Sequence, residues 1–170
     1  MASAANIAKR ASVREHRLVR LPDLREAGDI PGFNFRGHPP TYIPLRNSIF
    51  YSCAASYAEE VSAGSIVGGH NKDDEKVFED ASPSFFDSLQ TALWAGSVVL
   101  RRNRTAVLRP LKSLNKAEVV RLASSEGVPL DLTWSCHRNR DEHCWKCEGC
   151  VSRMRAFGRA GVEDPLLRKA

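Results

Sequence analysis

The chain has 170 residues, of which 42% are hydrophobic, 26% charged and 8% aromatic. That composition supports one ordinary globular core of about 70% buried surface and excludes collagen-like, coiled-coil and wholly disordered classes. The 25 Lys and Arg against 20 Asp and Glu leave a formal charge of +5, a mild surplus that favours anionic partners by steering and is equally common in proteins that bind none. No apolar run approaches the ~18 residues of a membrane span.

In chain order, the first segment predicts a helix near residues 3–11 and then a strand over His16–Leu21. Its Arg, Ser and Ala content loosely matches a transit peptide, yet the run into HRLVRL reads better as folded structure. A polar loop rich in Gly and Pro follows, from Gly28 to Pro40. Apolar residues at helical period mark a helix over Asn47–Ser62, with Cys53 on one face beside Ile49, Phe50, Ala54 and Tyr57 as a small core residue. SIVGG (Ser65–Gly69) is a short buried strand. After it comes HNKDDEKVFEDAS, a loop with five acidic residues ending in Ser82-Pro83, an N-cap and a first-turn proline.

That signal opens a helix to about Ala95. AVLRPL (Ala106–Leu111) is a third strand, and NKAEVVRLASSEG is a helix with Asn115 and Glu118 as a capping box and Gly127 as its stop. Strands alternating with helices define an α/β fold with a mainly parallel sheet and helices on both faces. Ligands in such folds meet the loops leaving the strands' carboxyl ends, here those after Gly69 and Pro110. No internal repeat or low-complexity segment is visible.

The most specific motif is Cys136-x7-Cys144-x2-Cys147-x2-Cys150. Two overlapping CxxC turns bring thiolates to one point, and four thiolates satisfy a tetrahedral Zn²⁺ with no position left for water, a structural rather than catalytic centre. Four thiolates also suit an iron–sulfur cluster, and redox or disulfide cysteines are the remaining alternative. His137 and His143 flank the set as bystanders. Reduced thiols throughout fit a cytoplasmic protein.

Outside the cysteines, Arg46 and Asn47 open a helix after a long loop, where a guanidinium can meet phosphate or carboxylate. Asp74 and Asp80 sit in the loop after the SIVGG strand and suit Mg²⁺–phosphate binding or hydrogen bonds to a purine-like ring; an ordinary solvated acidic loop is the competing account. Lys116, in a first helical turn, opposes the helix dipole and so points to an anion. Arg153, Arg155 and Arg159 read as a solvated basic face, with no direct nucleic-acid contact.

Several segments together resemble a known family. Leu132-Thr133-Trp134-Ser135-Cys136, the spaced cysteines, Arg153, Ala156-Phe157, Ala160-Gly161-Val162 and Asp164-Pro165 are similar to the C-terminal half of 7-cyano-7-deazaguanine synthases. Upstream, Tyr42-Ile43-Pro44, Arg46-Asn47, Ala54-Ala55-Ser56-Tyr57-Ala58-Glu59, Gly68-Gly69-His70-Asn71, Asp74, Asp80, Phe85, Pro110-Leu111 and Lys116-Ala117-Glu118-Val119-Val120 agree in order.

The resemblance implies a PP-loop ATPase fold and the ATP-dependent conversion of 7-carboxy-7-deazaguanine and ammonia, through the amide, to the nitrile precursor of queuosine. It further implies structural zinc on Cys136, Cys144, Cys147 and Cys150, ATP with Mg²⁺, a deazaguanine substrate, and a homodimer. It suggests a partial PP-loop domain over 1–131 and a zinc-stapled subdomain over 132–170.

The departures are specific. The family's SGGxDS phosphate loop does not occur in these 170 residues, whose likeness starts at the family's second helix. A complementing polypeptide carrying that loop is therefore the expected partner, and the isolated chain is expected to be inactive. The alternative is a non-catalytic binding or assembly protein on the same scaffold. Ala81 replaces a usual cysteine, and Trp145 replaces a usual glycine in the turn between cysteines, straining it if that turn needs φ > 0.

Overall fold

The structure, a computed structural model, describes residues 2–21, 24–26, 29–32, 37–39, 41–138 and 141–167. Two compact units emerge, one formed by residues 21–114 and the other by 1–20 with 115–170. The helix after Asn115 thus shares a unit with the cysteine segment.

In the central unit, α2 spans Arg46–Glu60, β1 Ser65–Val67, α3 Pro83–Gly96, α4 Val98–Arg102 and β2 Ala106–Leu108. The strands pair in parallel, Ser65 with Ala106, Ile66 with Val107 and Val67 with Leu108. The α/β class with a parallel sheet holds. Ile66 turns inward onto Tyr51, Ala55, Ala58, Phe86 and Leu100, while Val67 and Leu108 are exposed.

Local signals explain the boundaries. Ser82 Oγ accepts from the Phe85 amide at 3.2 Å and Pro83 occupies the first turn of α3. Helix α4 was not legible as a separate element: Ser97 leaves helical geometry and then caps a new turn by accepting from the Leu100 amide at 3.1 Å. Helix α3 also grips β2, because the Gln90 side-chain carbonyl accepts from the Val107 amide at 2.7 Å and Trp94 Nε1 donates to the Thr105 carbonyl at 2.9 Å.

Three expectations change. The segment His16–Leu21 is not a strand; residues 16–20 are exposed, and no pairing among the described residues supplies ladder hydrogen bonds. The buried stripe of α2 runs through Asn47, Tyr51, Ala55 and Ala58 rather than through Cys53, which is half-buried, with Phe50 exposed. The strand expected over Ala106–Leu111 stops at Leu108. Of the loop expected over 28–40, residues 28, 33–36 and 40 lie outside the described residues, and the others form no α-helix or strand.

The second unit contains α1 (Ala2–Arg10), α5 (Lys116–Ser125) and α6 (Glu148–Ala160). The capping box of α5 is complete: Asn115 Oδ1 accepts from the amides of Ala117 and Glu118, both at 3.0 Å, and Glu118 Oε2 accepts from the Asn115 amide at 2.7 Å. Val120 of α5 packs with Ala156 and Phe157 of α6 over Leu130, Ala160 and Val162.

Candidate metal centre and a polar cavity after the first strand

The four cysteine sulfurs converge, all within 4.8 Å of one another. Cys144 and Cys150 Sγ are 4.0 Å apart and Cys136 and Cys147 Sγ 3.9 Å. A tetrahedral site with metal–sulfur bonds of about 2.3 Å has edges of about 3.8 Å, so the donor set fits one ion with little movement. Cys150 is fully buried in the first turn of α6.

Backbone amides prepare the sulfurs for negative charge. The amides of His137, Arg138 and Cys147 donate to the sulfurs of Cys147, Cys136 and Cys144 at 3.4, 3.4 and 3.3 Å. Amide donors at Lys146 and Cys147 bring the Cys144 thiol down to about 6, and those at His137 and Cys150 lower Cys147. Burial instead pushes Cys150 up to about 12. Such a divided set needs a cation to be deprotonated throughout.

The turn has its own geometry. Trp145 adopts φ 56, so the left-handed conformation falls on a residue with a Cβ, at a strain of roughly 1–2 kcal/mol. Gly149 is required differently: a Cβ there would overlap the Ser135 carbonyl oxygen and meet the His137 ring at 2.8 Å. His143 holds no sulfur; its Nε2 accepts from the Ser135 amide at 3.1 Å.

Arg153 corrects the solvated basic face. Its side chain is 4% exposed, and Nε and Nη2 donate to the Asp164 carboxylate at 2.6 and 2.8 Å. Nη1 donates to Thr133 Oγ1 at 2.6 Å and Nη2 to the Leu130 carbonyl at 3.1 Å. The guanidinium therefore ties α6 to the 3-10 turn over Leu130–Leu132 and Thr133, which lead into Cys136, and to the segment after α6. Burial works against the Asp164 carboxylate, but the Arg153 hydrogen bonds, the Leu166 amide and the Arg153 charge together hold it below the usual range.

In the central unit a cavity of about 230 Å³ opens beyond β1, lined by Arg46, Asn47, Gly69, His70, Asp74, Phe78 and Ala81. The structure thus brings together Arg46, Asn47 and Asp74 from the sequence-derived set. Asp80 lies behind them: its carboxylate accepts from the Asn47 amide at 3.0 Å and its carbonyl from Asn47 Nδ2 at 2.9 Å. It caps α2 from a distance, in place of Leu45, which sits at φ 52 with no side-chain cap. Asp74 Oδ2 accepts from the Asn71 amide and Nδ2 at 3.1 and 2.9 Å, shaping the loop. Lys116 belongs to the other compact unit.

Sequence reasoning missed Phe78, whose ring faces the Arg46 guanidinium at 5.8 Å; its signal was an aromatic residue inside an acidic loop. Behind the cavity wall, Tyr51 and Phe86 pack on His70, with Arg109 4.3 Å over Phe86. Burial and the charges of Arg109 and Arg46 lower His70 against the pull of Asp74 and Asp80, favouring a neutral imidazole.

A parallel α/β unit with a polar cavity beyond a strand is followed in sequence by four convergent thiols positioned to hold a metal ion, the α/β class of a PP-loop family with a cysteine centre. The sequence model of the queuosine biosynthesis protein QueC matches residues 1–161, and the chain belongs to that family. It is 38% identical over 128 residues to the 7-cyano-7-deazaguanine synthase of Thermoplasma acidophilum, covering 75% of this chain and 54% of that one. It is 33% identical over 180 residues to the synthase of Nostoc punctiforme, covering 97% and 80%. Against the synthase of Campylobacter jejuni subsp. doylei it is 39% identical over 132 residues, 78% and 58%. The chain thus spans about half the length of several curated relatives it matches.

Proposed function

We propose that this chain provides the substrate-binding and metal-stapled part of a 7-cyano-7-deazaguanine synthase, which converts 7-carboxy-7-deazaguanine and ammonia to the nitrile at the expense of ATP. Family membership is the observation that carries the reading. The cavity beyond β1 supports it: Arg46 supplies a cation for a carboxylate or phosphate, and Asp74 an acceptor or an Mg²⁺ ligand. Lys116, in the other compact unit, is a separate anion contact in this reading. Zn²⁺ is the ion for the four thiolates, with a structural role, since no coordination position stays open. The setting is the reducing cytoplasm.

Phosphoryl and nucleotidyl transfer depend on holding the phosphates in line. The SGGxDS motif that does so in the family is absent from these 170 residues. In our reading a segment bearing that motif completes the site, adding its strand beside β1 because Gln90 already engages the backbone of β2.

The test is nitrile formation from 7-carboxy-7-deazaguanine, ATP and ammonia by the 170-residue chain, with and without a polypeptide carrying strand, SGGxDS loop and helix. Silence alone and turnover with the fragment are expected. Turnover by the chain alone would overturn the requirement, and silence with a demonstrably bound fragment would favour the non-catalytic scaffold.

A further inference from the structure

A second cavity, of about 290 Å³, lies in the unit that carries the cysteines. Its wall includes Trp134, His143 and Trp145, and Asp131, Asp141 and Glu142 also line it. The rings are in contact: His143 stacks on Trp145 at 5.1 Å and meets Trp134 at 4.3 Å with the planes tilted by 49°, centroid to centroid. Hydrogen bonds hold two of these rings in place. Trp134 Nε1 donates to the Cys136 carbonyl at 2.7 Å, and His143 Nε2 accepts from the Ser135 amide.

The charge of this cavity is opposite to that of the chain. Of the described lining residues none is Lys or Arg, and the exposed carboxylates of Asp141 and Glu142 are among them, in a protein of formal charge +5. Electron-rich indole faces and carboxylates attract the same kind of group, a desolvated organic cation. A guanidinium satisfies both features at once, because it is flat enough to stack on indole and its N–H fork matches a carboxylate. An anion such as a phosphate or a carboxylate substrate would face the like charges of Asp141 and Glu142 here.

We propose that this cavity is a binding site for a guanidinium group, distinct from the cavity beyond β1 and independent of the synthase reading. The group can come from a free small molecule or from an arginine side chain of another polypeptide.

Binding is measured on the metal-loaded 170-residue protein by calorimetry and tryptophan emission, with methylguanidinium as probe and N-methylurea as its neutral isostere. Saturable binding of methylguanidinium at least about tenfold tighter than of the urea is expected, a difference of about 1.4 kcal/mol. The double variant Asp141→Asn, Glu142→Gln should weaken it by about tenfold or more, whereas Glu126→Gln, an exposed acid outside the cavity, should leave it unchanged. Equal metal content in the three proteins checks the fold. Free arginine and a blocked Gly-Arg-Gly peptide then separate the sources: equal affinities identify a small-molecule site, and tighter binding of the peptide a polypeptide site. Absence of saturation, equal binding of the urea, tighter binding of neutral guanine, or an unaffected double variant would overturn the proposal.

Discussion

Replacing Asp164 by Asn keeps the shape of the side chain and removes the carboxylate charge that touches the Arg153 guanidinium. The two side chains are 0% and 4% exposed, so solvent does little to screen the orphaned cation. Arg153 would keep neutral acceptors alone, namely Thr133 Oγ1, the Leu130 carbonyl and the amide oxygen of the new side chain, whose NH₂ would face one of its N–H donors. Removing one partner of a buried pair typically costs about 3–5 kcal/mol, which for a chain of this size is a fall in Tm of about 6–20 °C. The exposed pair Arg17–Glu15, at 44% and 46% exposure, is the internal control, and Glu15→Gln should change stability by less than about 1 kcal/mol.

The assay is urea unfolding of metal-loaded protein at neutral pH. The pH dependence adds a signature. Because the folded carboxyl of Asp164 lies below its unfolded value, its stabilisation is complete above the unfolded value and is lost as pH falls through the folded one. The gap between wild type and Asp164→Asn should therefore narrow in that acid window, while other titrations cancel between the two proteins. A gap below about 1 kcal/mol at pH 7 would refute the account of this pair as a buried brace.

Three further outcomes are expected. Metal analysis should find about one zinc per chain, with Cys144→Ser losing metal and melting early while Cys53→Ser keeps both; equal behaviour of the two would count against the four-thiolate centre. Gly149→Ala should reduce metal content, since its Cβ would overlap the Ser135 carbonyl, a backbone atom that cannot rotate away; full metal occupancy in that variant would contradict the close approach. Tyr51→Phe should be neutral to stabilising, because the Tyr51 hydroxyl is buried without a partner among the described residues, and it should partly rescue Gly68→Ala, whose Cβ would overlap that hydroxyl. A double-mutant cycle in urea reads the coupling, and additive effects would exclude it.

Local chemistry explains what was legible in the amino-acid order. The cysteine spacing, the Ser82-Pro83 and Asn115–Glu118 caps and the period of α2, α3 and α5 act within a few residues, so they can be read without the fold. Trp145 is a different case, since only the resemblance marked its position as a usual glycine, and whether the turn needs a positive φ, as it does, came from the structure. Pairing over longer distances was hidden. HRLVRL has the composition of a strand, but a strand exists only where a neighbour supplies its ladder. Which stripe of α2 is buried depended on what packs against it, and Tyr51 rather than Cys53 met β1 and α3. Arg153 looked like solvated charge because Asp164, eleven residues away on the far side of a helix end, neutralises it only in the folded chain. The capping role of Asp80 was hidden for the same reason: its partner, the first turn of α2, is thirty-three residues upstream. Residue types and short spacings therefore determined the elements and the metal donors, whereas the burial of charge, and hence which polar groups brace the fold and which line a cavity, was decided by tertiary contact alone.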